Sequence, residues 1–290
     1  MNVLKLGIPK GSLQKATLKL FEKSGWNISI TDRNYFPEIN DETISCSILR
    51  AQEMSVHVEG GAIDAGLTGR DWTEENESDV VIVENLLYSK LSQNPVKWVL
   101  AVSADSDINE LKDLRGKKIA TELVNYTKKY FAQKDIEVNV EFSWGTTEAK
   151  VAEGLADAIV EVTETGSTIK AHGLKIIHDL MRSNTILIAN KDAWENSWKR
   201  AKIQQIALLL KGALKAENMV GLKMNAPKEK LDQIIKILPS ITSPTIANLF
   251  QSDWVSVEVM VQKEKVRELI PELIQKGAKG IIEYPLNKVI

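Results

Sequence analysis

The segment "GLADAIVEVTETGSTIKAHGL" (residues 154–174) decides the fold class predicted for this chain. Within it, "ADAIVEVT" (156–163) has the length and apolar composition of a buried β-strand. The loop "TETGST" (163–168) follows, with hydroxyl-bearing residues around one glycine, and a helical pattern comes next. A strand that ends in a polar loop before a helix is typical of α/β proteins, whose open sheets bind ligands at such strand ends.

A similar pattern occurs nearer the N-terminus. Glu59-Gly60 leads into "AIDAGLTG" (62–69), as Glu153-Gly154 leads into "ADAIVEVTETG" (156–166). Each copy has a helix that ends in Glu-Gly, then Asp-Ala, an apolar strand and a turn containing Thr and Gly. This repetition predicts two lobes whose turns face each other across a cleft. Helix–glycine–strand units are common, so the repetition alone is weak support.

The rest of the chain alternates between strand and helix patterns, which predicts mostly parallel sheets covered by helices. After a long helix predicted over 197–218, the pattern changes to βαββαβ, the ferredoxin-like order. The predicted organisation is α/β throughout. It has a first lobe over 1–95 with a return segment at about 182–211, a second lobe over 96–181, and a small domain over 212–290.

Composition excludes several classes of function. The chain has 290 residues, 43% apolar and 26% charged, with a formal net charge of −2, so no global basic field favours nucleic acid or an anionic membrane. Cys46 is the only cysteine, and the three histidines show no metal-ligand spacing. No stretch approaches the ~20 apolar residues of a membrane span, and the start lacks a signal-peptide pattern. The sequence therefore predicts a cytoplasmic protein.

The 163–168 loop has the chemistry of a phosphate site. Backbone amides and the hydroxyls of Thr165, Ser167 and Thr168 are donors that suit a phosphate. The nearby carboxylates of Asp157 or Glu161 would accept hydrogen bonds from the hydroxyls of an attached sugar. The alternative is that Thr165 or Ser167 caps the helix and no ligand binds.

Three cationic residues follow predicted strands and are candidates for polyphosphate binding. Lys10 lies in the turn "GIPKGSL" (7–13), Arg50 ends "CSILR" (46–50), and Arg70 follows the strand of the first repeat. For Lys10 the alternative is a solvated turn lysine with Ser12 as the helix cap. For the arginines it is an ordinary surface salt bridge, which for Arg70 would involve Asp71.

These motifs together resemble one family. "PKGSL", "EGGAIDAGLTGRDW" and "GLADAIVEVTETGSTIKAHGL" are similar to the signature segments of ATP phosphoribosyltransferases. The C-terminal segment, with "PSITSPTIANL" (239–249) and "WVSVEVMV" (254–261), resembles the regulatory domain of the long form of that family. The resemblance implies two periplasmic-binding-protein-like lobes (type II) followed by a C-terminal ferredoxin-like regulatory domain.

The same resemblance implies an activity. The family condenses ATP, through N1 of adenine, with phosphoribosyl pyrophosphate to give phosphoribosyl-ATP and pyrophosphate, the first step of histidine biosynthesis. Dependence on Mg²⁺, feedback inhibition by histidine and a homo-oligomer that changes from dimer to hexamer are also implied. The main rivals are a periplasmic-type solute receptor and the short-form subunit that depends on a partner protein. The third domain favours neither rival.

Carried over to this chain, the resemblance assigns roles to individual residues. The residues implied for the pyrophosphate and the ATP phosphates are Lys10, Arg50 and Arg70. Those implied for phosphoribosyl pyrophosphate, with Asp157 on the ribose hydroxyls, are Asp157, Glu161, Glu164, Thr165, Gly166, Ser167 and Thr168. Ser243 and Thr245 would bind histidine, and no protein side chain is assigned to the metal. The chain departs from the family at Ser12 (usually Arg), Glu161 (usually Asp) and "ELVNYTKKYF" (122–131), which lacks the usual Tyr-Pro.

Overall fold

The computed structural model describes residues 2–30, 36–88, 95–239 and 243–290. The chain divides into two compact units, one of Met1–Glu22 with Trp26–Ala207 and one of Lys23–Gly25 with Leu208–Ile290. The finer domain boundaries predicted from the sequence stay predictions. Among the described residues, no helix combines the length and the apolar character that crossing a membrane requires.

The first unit contains most of the regular elements. Its strands are β1 (Leu4–Lys10), β2 (Ile28–Ser29), β3 (Glu38–Ile39), β4 (Ile44–Arg50), β5 (Ala65–Gly69), β6 (Val81–Leu86), β7 (Val96–Ser103), β8 (Lys118–Thr121), β9 (Asn139–Phe142), β10 (Ala158–Thr163), β11 (Leu174–Ser183) and β12 (Thr185–Ala189). Its helices are α1 (Gln14–Ser24), α2 (Ala51–Glu59), α3 (Arg70–Glu75), α4 (Val124–Ala132), α5 (Thr147–Ala152), α6 (Ser167–Ala171), α7 (Lys191–Glu195) and α8 (Ser197–Glu217), of which α1 and α8 continue into the second unit. Between β7 and β8 lies a single 3₁₀ turn, Leu111–Leu114.

Two five-stranded sheets define two lobes within this unit. The first lobe has the order β4-β1-β5-β12-β6, and the second, read in the matching direction, has β9-β8-β10-β7-β11. In each sheet three parallel strands are followed by one reversed strand and then by a strand in the original direction. The lobes therefore share one topology, which the sequence repetition predicted, and the sheets are mostly parallel apart from one reversed strand each.

The reversed strands are the ones that arrive from the other lobe. Strand β11 of the second lobe ends at Ser183, and β12 of the first lobe begins at Thr185, so only Asn184 separates them. In the other direction, β6 of the first lobe precedes β7 of the second. Each lobe is thus completed by a strand that enters from its neighbour, which explains the reversal.

An aspartate braces the start of the third strand in both lobes. In the first lobe, the N–H of Lys5 donates to Asp64 Oδ2 at 2.9 Å, and the N–H of Asp64 donates to the Lys5 carbonyl at 2.9 Å. In the second lobe, Lys118 and Asp157 exchange the same two bonds, at 2.8 and 2.9 Å. The Asp-Ala pairs that the sequence repeats are therefore structural, since each ties one strand to its parallel neighbour.

Each lobe packs its sheet against helices through buried apolar side chains. In the first lobe Met54 and Val58 of α2 lie against Ile186 and Ile188 of β12. In the second lobe Trp98 and Phe131 belong to one buried cluster on one face of the sheet, and a smaller cluster that includes Ile159 and Ile169 forms separately. These cores keep the strand ends, where the candidate site lies, in fixed positions.

The second unit has the predicted βαββαβ order. Its elements are β13 (Met219–Pro227), α9 (Leu231–Ile235), β14 (Thr245–Asn248), β15 (Trp254–Gln262), α10 (Val266–Gln275) and β16 (Lys279–Pro285), with 3₁₀ turns at Lys228–Lys230 and Lys263–Lys265. The antiparallel sheet has the order β14-β15-β13-β16, which confirms the ferredoxin-like arrangement. Strand β14 lies at the sheet edge, and all four of its residues are exposed.

We expect Asp64→Asn and Asp157→Asn to lower the melting temperature, because each weakens the acceptor of a backbone N–H. Asp64 should matter more, since it is only 5% exposed and its carboxylate also lies 2.7 Å from Lys199 Nζ. A loss of about 1–3 kcal/mol of unfolding free energy is expected for Asp64→Asn. Thermal melting, with the exposed Asp105→Asn as control, checks this. If both variants have the melting temperature of the native protein, the two aspartates do not stabilise the sheets in this way.

Candidate active site

A cavity of about 670 Å³ lies between the two lobes of the first unit. From the first lobe it is lined by residues 10–13 and 50–52 and by parts of 69–72. From the second lobe it is lined by most of 162–168, and the crossing between lobes contributes residues 183–185. The turns at the strand ends of both lobes thus meet in one space, as the sequence repetition predicted.

The 163–168 loop owes its shape to one glycine. Gly166 has a φ of +77°, in the left-handed region, where a side chain would be strained. Its N–H donates to Thr163 Oγ1 at 2.7 Å, and Thr165 Oγ1 lies 2.9 Å from Ser167 Oγ. Gly166 occupies the capping position of α6, and the N–H of Ser167, the first residue of that helix, donates to Thr165 Oγ1 at 3.4 Å. The Thr165 hydroxyl therefore contacts a helix-end amide from the position before the cap, and its binding of a ligand stays a prediction.

Two of the three predicted cations line the cavity. Lys10 is the last residue of β1 and Arg50 the last of β4, and the two residues are register partners in neighbouring parallel strands. After Lys10, the left-handed conformation of Gly11 (φ +94°) turns the chain toward α1. The two positive side chains consequently end adjacent strands at one wall of the cavity.

Arg70 is placed differently from Lys10 and Arg50. It begins α3, and its Nη2 donates to Asn85 Oδ1 at 3.0 Å. Its neighbours Gly69 and Asp71 line the cavity, but Arg70 does not. The ion pair with Asp71 that the sequence allowed does not form, because Asp71 has other partners.

The structure corrects the role predicted for Asp157. This residue precedes β10, whereas the 163–168 loop follows it, and a six-residue strand spans about 20 Å. Its carboxylate is engaged by the Lys118 amide and lies 3.4 Å from Lys117 Nζ. Asp157 does not line the cavity and so is not placed to accept bonds from a sugar whose phosphate binds in the loop. Among the predicted carboxylates, Glu164 lines the cavity.

Glu161 lies on β10, two residues before the loop. Burial, helped by the nearby carboxylates of Glu148 and Glu122, raises the pKa of its carboxyl to about 7, although the hydrogen bond donated by the Val162 amide opposes the shift. Glu122 itself lines the cavity. Burial also raises the pKa of Glu122, while a hydrogen bond from Gln52 of the first lobe opposes the shift. This side of the cavity is therefore acidic.

Asp71 is the residue that sequence reasoning missed most clearly. It is 5% exposed, its Oδ2 accepts the indole N–H of Trp98 at 2.7 Å, and its amide donates to Ser183 Oγ at 3.1 Å. Burial raises the pKa of Asp71 although these donors oppose the shift. A Cβ on Gly69 would lie 2.0 Å from Asp71 Oδ1, so only glycine fits there. Asp71 thus contacts both connections between the lobes, one through its carboxylate and the other through its backbone amide.

Helix α3 is attached to the second lobe at its other end as well. Glu75, 8% exposed, accepts the amides of Asn125 and Tyr126 at 3.0 and 2.9 Å, at the start of α4. Between these attachments, Trp72 packs edge-on against Trp98, with ring centroids 6.0 Å apart. Helix α3 follows a strand of the first lobe in the chain, and these contacts fix it to the second lobe.

A profile of the family described as ATP phosphoribosyltransferase matches residues 50–212, and one described as the HisG C-terminal domain matches residues 216–288. The chain belongs to the ATP phosphoribosyltransferase family. It is thus a pentosyltransferase, an ATP phosphoribosyltransferase of histidine biosynthesis, as its resemblance to that family predicted.

Comparisons over the full length agree with this assignment. The ATP phosphoribosyltransferase of Solidesulfovibrio magneticus is 65% identical over 289 residues, covering 100% of this chain and 99% of that protein. The one from Desulfatibacillum aliphaticivorans is 62% identical over 289 residues, with the same coverage. A solved ATP phosphoribosyl transferase (HisG:HisZ) complex from Thermotoga maritima matches with a TM-score of 0.62 and 25% identity, covering 72% of this chain and 98% of that chain.

The raised pKa of Glu161 predicts a pH-dependent stability. From about pH 4.5, its ordinary pKa, to about pH 7, the folded enzyme keeps a proton that the unfolded chain releases. Stability contributed by the neutral form is therefore lost as pH rises through this window. Glu161→Gln cannot ionise, so it should raise the melting temperature by a few degrees at about pH 8, roughly 1–3 kcal/mol, and not at about pH 4.5.

Thermal melting across this pH range checks the expectation, with the exposed Glu153→Gln as control. A gain for Glu161→Gln that is equal at both ends of the range would contradict the shifted pKa.

Proposed function

We propose that the enzyme joins N1 of the adenine of ATP to C1 of phosphoribosyl pyrophosphate in the cavity between the lobes, releasing pyrophosphate. The observation that supports this most is that a hydroxyl-rich loop, 163–168, and the cations Lys10 and Arg50 line the same cavity. The loop offers donors for the 5′-phosphate, and the two cations offer charge for the pyrophosphate.

The proposed reaction needs no protein nucleophile. The nitrogen attacks the ribose carbon as the bond to pyrophosphate breaks, so the protein must align two polyanions and stabilise the charge that grows on the leaving group. Lys10 and Arg50, at the ends of adjacent strands, are placed to meet that charge. Arg70 does not line the cavity and would contribute less, because its guanidinium is bonded to Asn85.

The carboxylates have a separate proposed role. With Asp157 engaged in the sheet, we assign the ribose hydroxyls to Glu164, which lines the cavity, and to Glu161 beside the loop. Carboxylates would repel a phosphate, so their presence beside the phosphate loop is explained if they accept hydrogen bonds from the hydroxyls of the attached ribose. Thr165, Gly166, Ser167 and Thr168 keep their proposed role as the phosphate loop.

Mg²⁺ is proposed as a cofactor that arrives with the substrates. The described ranges contain no group of three His, Cys, Asp or Glu side chains that could hold a metal ion. Mg²⁺ is commonly bound by substrate phosphates, water and one or two carboxylates, and the acidic side formed by Glu122 and Glu161 fits that need. When bound, the ion would neutralise part of the charge on the pyrophosphate.

For the second unit we propose a regulatory role. Ser243 and Thr245 are exposed at the start of edge strand β14, whose outer backbone groups are open to a ligand such as the amino and carboxyl groups of histidine. The same edge would also suit contact between subunits in a dimer-to-hexamer change. A cleft of about 600 Å³ elsewhere in this unit, lined by Lys228, Trp254 and Lys279 among others, is the competing location for the effector.

Thr168→Ala should raise the KM for phosphoribosyl pyrophosphate roughly tenfold or more, because one hydrogen bond to a charged acceptor is worth about 1.5–3 kcal/mol. The KM for ATP should change less. Initial-rate kinetics of phosphoribosyl-ATP formation measure both. If both KM values rise equally, the loop is not the site of the 5′-phosphate. If neither changes, the role of the Thr168 hydroxyl is purely structural.

Arg50→Lys should lower kcat roughly tenfold without lowering the melting temperature, because lysine keeps the charge but loses the planar fork of donors. Arg70→Lys is the matched control and should cost less, since Arg70 does not line the cavity. Rates and melting curves of both variants test this pair. A larger loss from Arg70→Lys would show that the guanidinium of Arg70 moves into the site during turnover.

The combined substitution Ser243→Ala and Thr245→Val should raise the histidine concentration for half-inhibition roughly tenfold, while leaving the uninhibited rate unchanged. Lys279→Ala, in the competing cleft, should leave inhibition as it is. Rate measurements against histidine concentration decide between the two locations. Relief by Lys279→Ala alone would place the effector in the cleft, and an enzyme cut after Glu217 that is still inhibited would place it outside residues 218–290.

A further inference from the structure

An exposed tryptophan of the second lobe contacts a cation of the first. Trp144 follows β9, and 63% of its surface is exposed. The guanidinium carbon of Arg50 lies over its ring, 4.7 Å from the ring centroid. This distance is well within the range of a cation–π interaction. The contact joins the two lobes beside the cavity that Arg50 lines.

The loop that carries Trp144 is held in place by buried hydrogen bonds of the residues around it. Ser143 and Thr147, on either side, are 1% and 0% exposed, and their hydroxyl oxygens lie 3.1 Å apart. The amide of Ser143 also donates to the carbonyl of Thr121 at 2.9 Å. Phe142 packs edge-on against the tryptophan, with ring centroids 6.4 Å apart. Trp144 is therefore a fixed platform despite its exposure.

The side chain of Arg50 needs a partner that restricts its conformations. It is exposed at the end of β4, and within the described ranges it forms no ion pair. A long, exposed arginine samples many rotamers unless something restricts it. Stacking on an indole restricts the side chain while leaving the N–H groups at the edge of the guanidinium plane available to a phosphate oxygen.

We propose that Trp144 is a positioning residue that holds the Arg50 guanidinium for the departing pyrophosphate. The proposal rests on the function proposed above and adds a residue of the second lobe to the pyrophosphate site. It also requires the two lobes to cooperate, since neither Trp144 nor Arg50 alone completes this part of the site. Trp144 acts through Arg50 and needs no contact of its own with the substrates.

The test is a series at position 144, read by kcat and by both KM values. Trp144→Phe keeps an aromatic face and should stay within about threefold of the native kcat/KM for phosphoribosyl pyrophosphate. Trp144→Leu and Trp144→Ala lose the π-system and should lower it roughly five- to thirtyfold. Leu155→Ala, which removes another exposed apolar side chain of the second lobe, should have no effect. Melting curves identify any variant that fails to fold, and the Phe–Leu comparison remains if the alanine variant does.

A second arm combines the substitutions and uses inorganic pyrophosphate as the probe. In the Arg50→Ala background, Trp144→Ala should weaken pyrophosphate binding, measured by calorimetry, no further than Arg50→Ala does alone. Additive losses, a leucine variant as active as the phenylalanine variant, or an alanine variant equal to the native enzyme would each overturn the proposal. If the native enzyme forms no phosphoribosyl-ATP, the proposed function fails, and the pyrophosphate series still decides the role of Trp144.

Discussion

The geometry of the cavity depends on the buried carboxylate of Asp71. It accepts the indole N–H of Trp98, near the start of the strand that enters the second lobe, and its amide reaches Ser183, where the chain returns to the first. Hydrogen bonds to a charged group are worth about 1.5–3 kcal/mol each, more than most neutral ones. A single residue thus fixes both crossings relative to helix α3, through its side chain and its backbone amide. With Glu75 capping α4 from the same helix, the two walls of the cavity are held in one relation.

This attachment gives a physical basis for a reaction without a protein nucleophile. When catalysis consists of aligning two charged substrates, groups from different lobes must stay within a fraction of an ångström of their working positions. The backbones of Lys10 and Arg50 are fixed by the register of β1 and β4, and the phosphate loop is fixed by β10 and Gly166. The buried contacts that attach α3 to the second lobe then fix the two cations of the first lobe relative to the phosphate loop of the second.

Features that depend on neighbouring residues were predictable from the sequence. The hydroxyl loop and the βαββαβ order both follow from short-range patterns, and the structure contains them. The partners of Asp71 were not predictable, because Trp98 and Ser183 lie 27 and 112 residues away. Asp157 was misassigned for a related reason. Asp157 is close to the loop in sequence, but β10 separates the two in space. Its partner in the structure, Lys118, lies 39 residues earlier in the chain.

We propose that the cavity between the lobes binds phosphoribosyl pyrophosphate through the 163–168 loop and the turn that begins at Lys10. Amide hydrogen exchange with and without this substrate tests it most directly, because ligand binding slows exchange where the ligand orders the backbone. We expect slower exchange in peptides covering 163–168 and 10–13, with no change in peptides covering 227–230 of the second unit. Protection confined to the second unit, or absent from the loop, would contradict it.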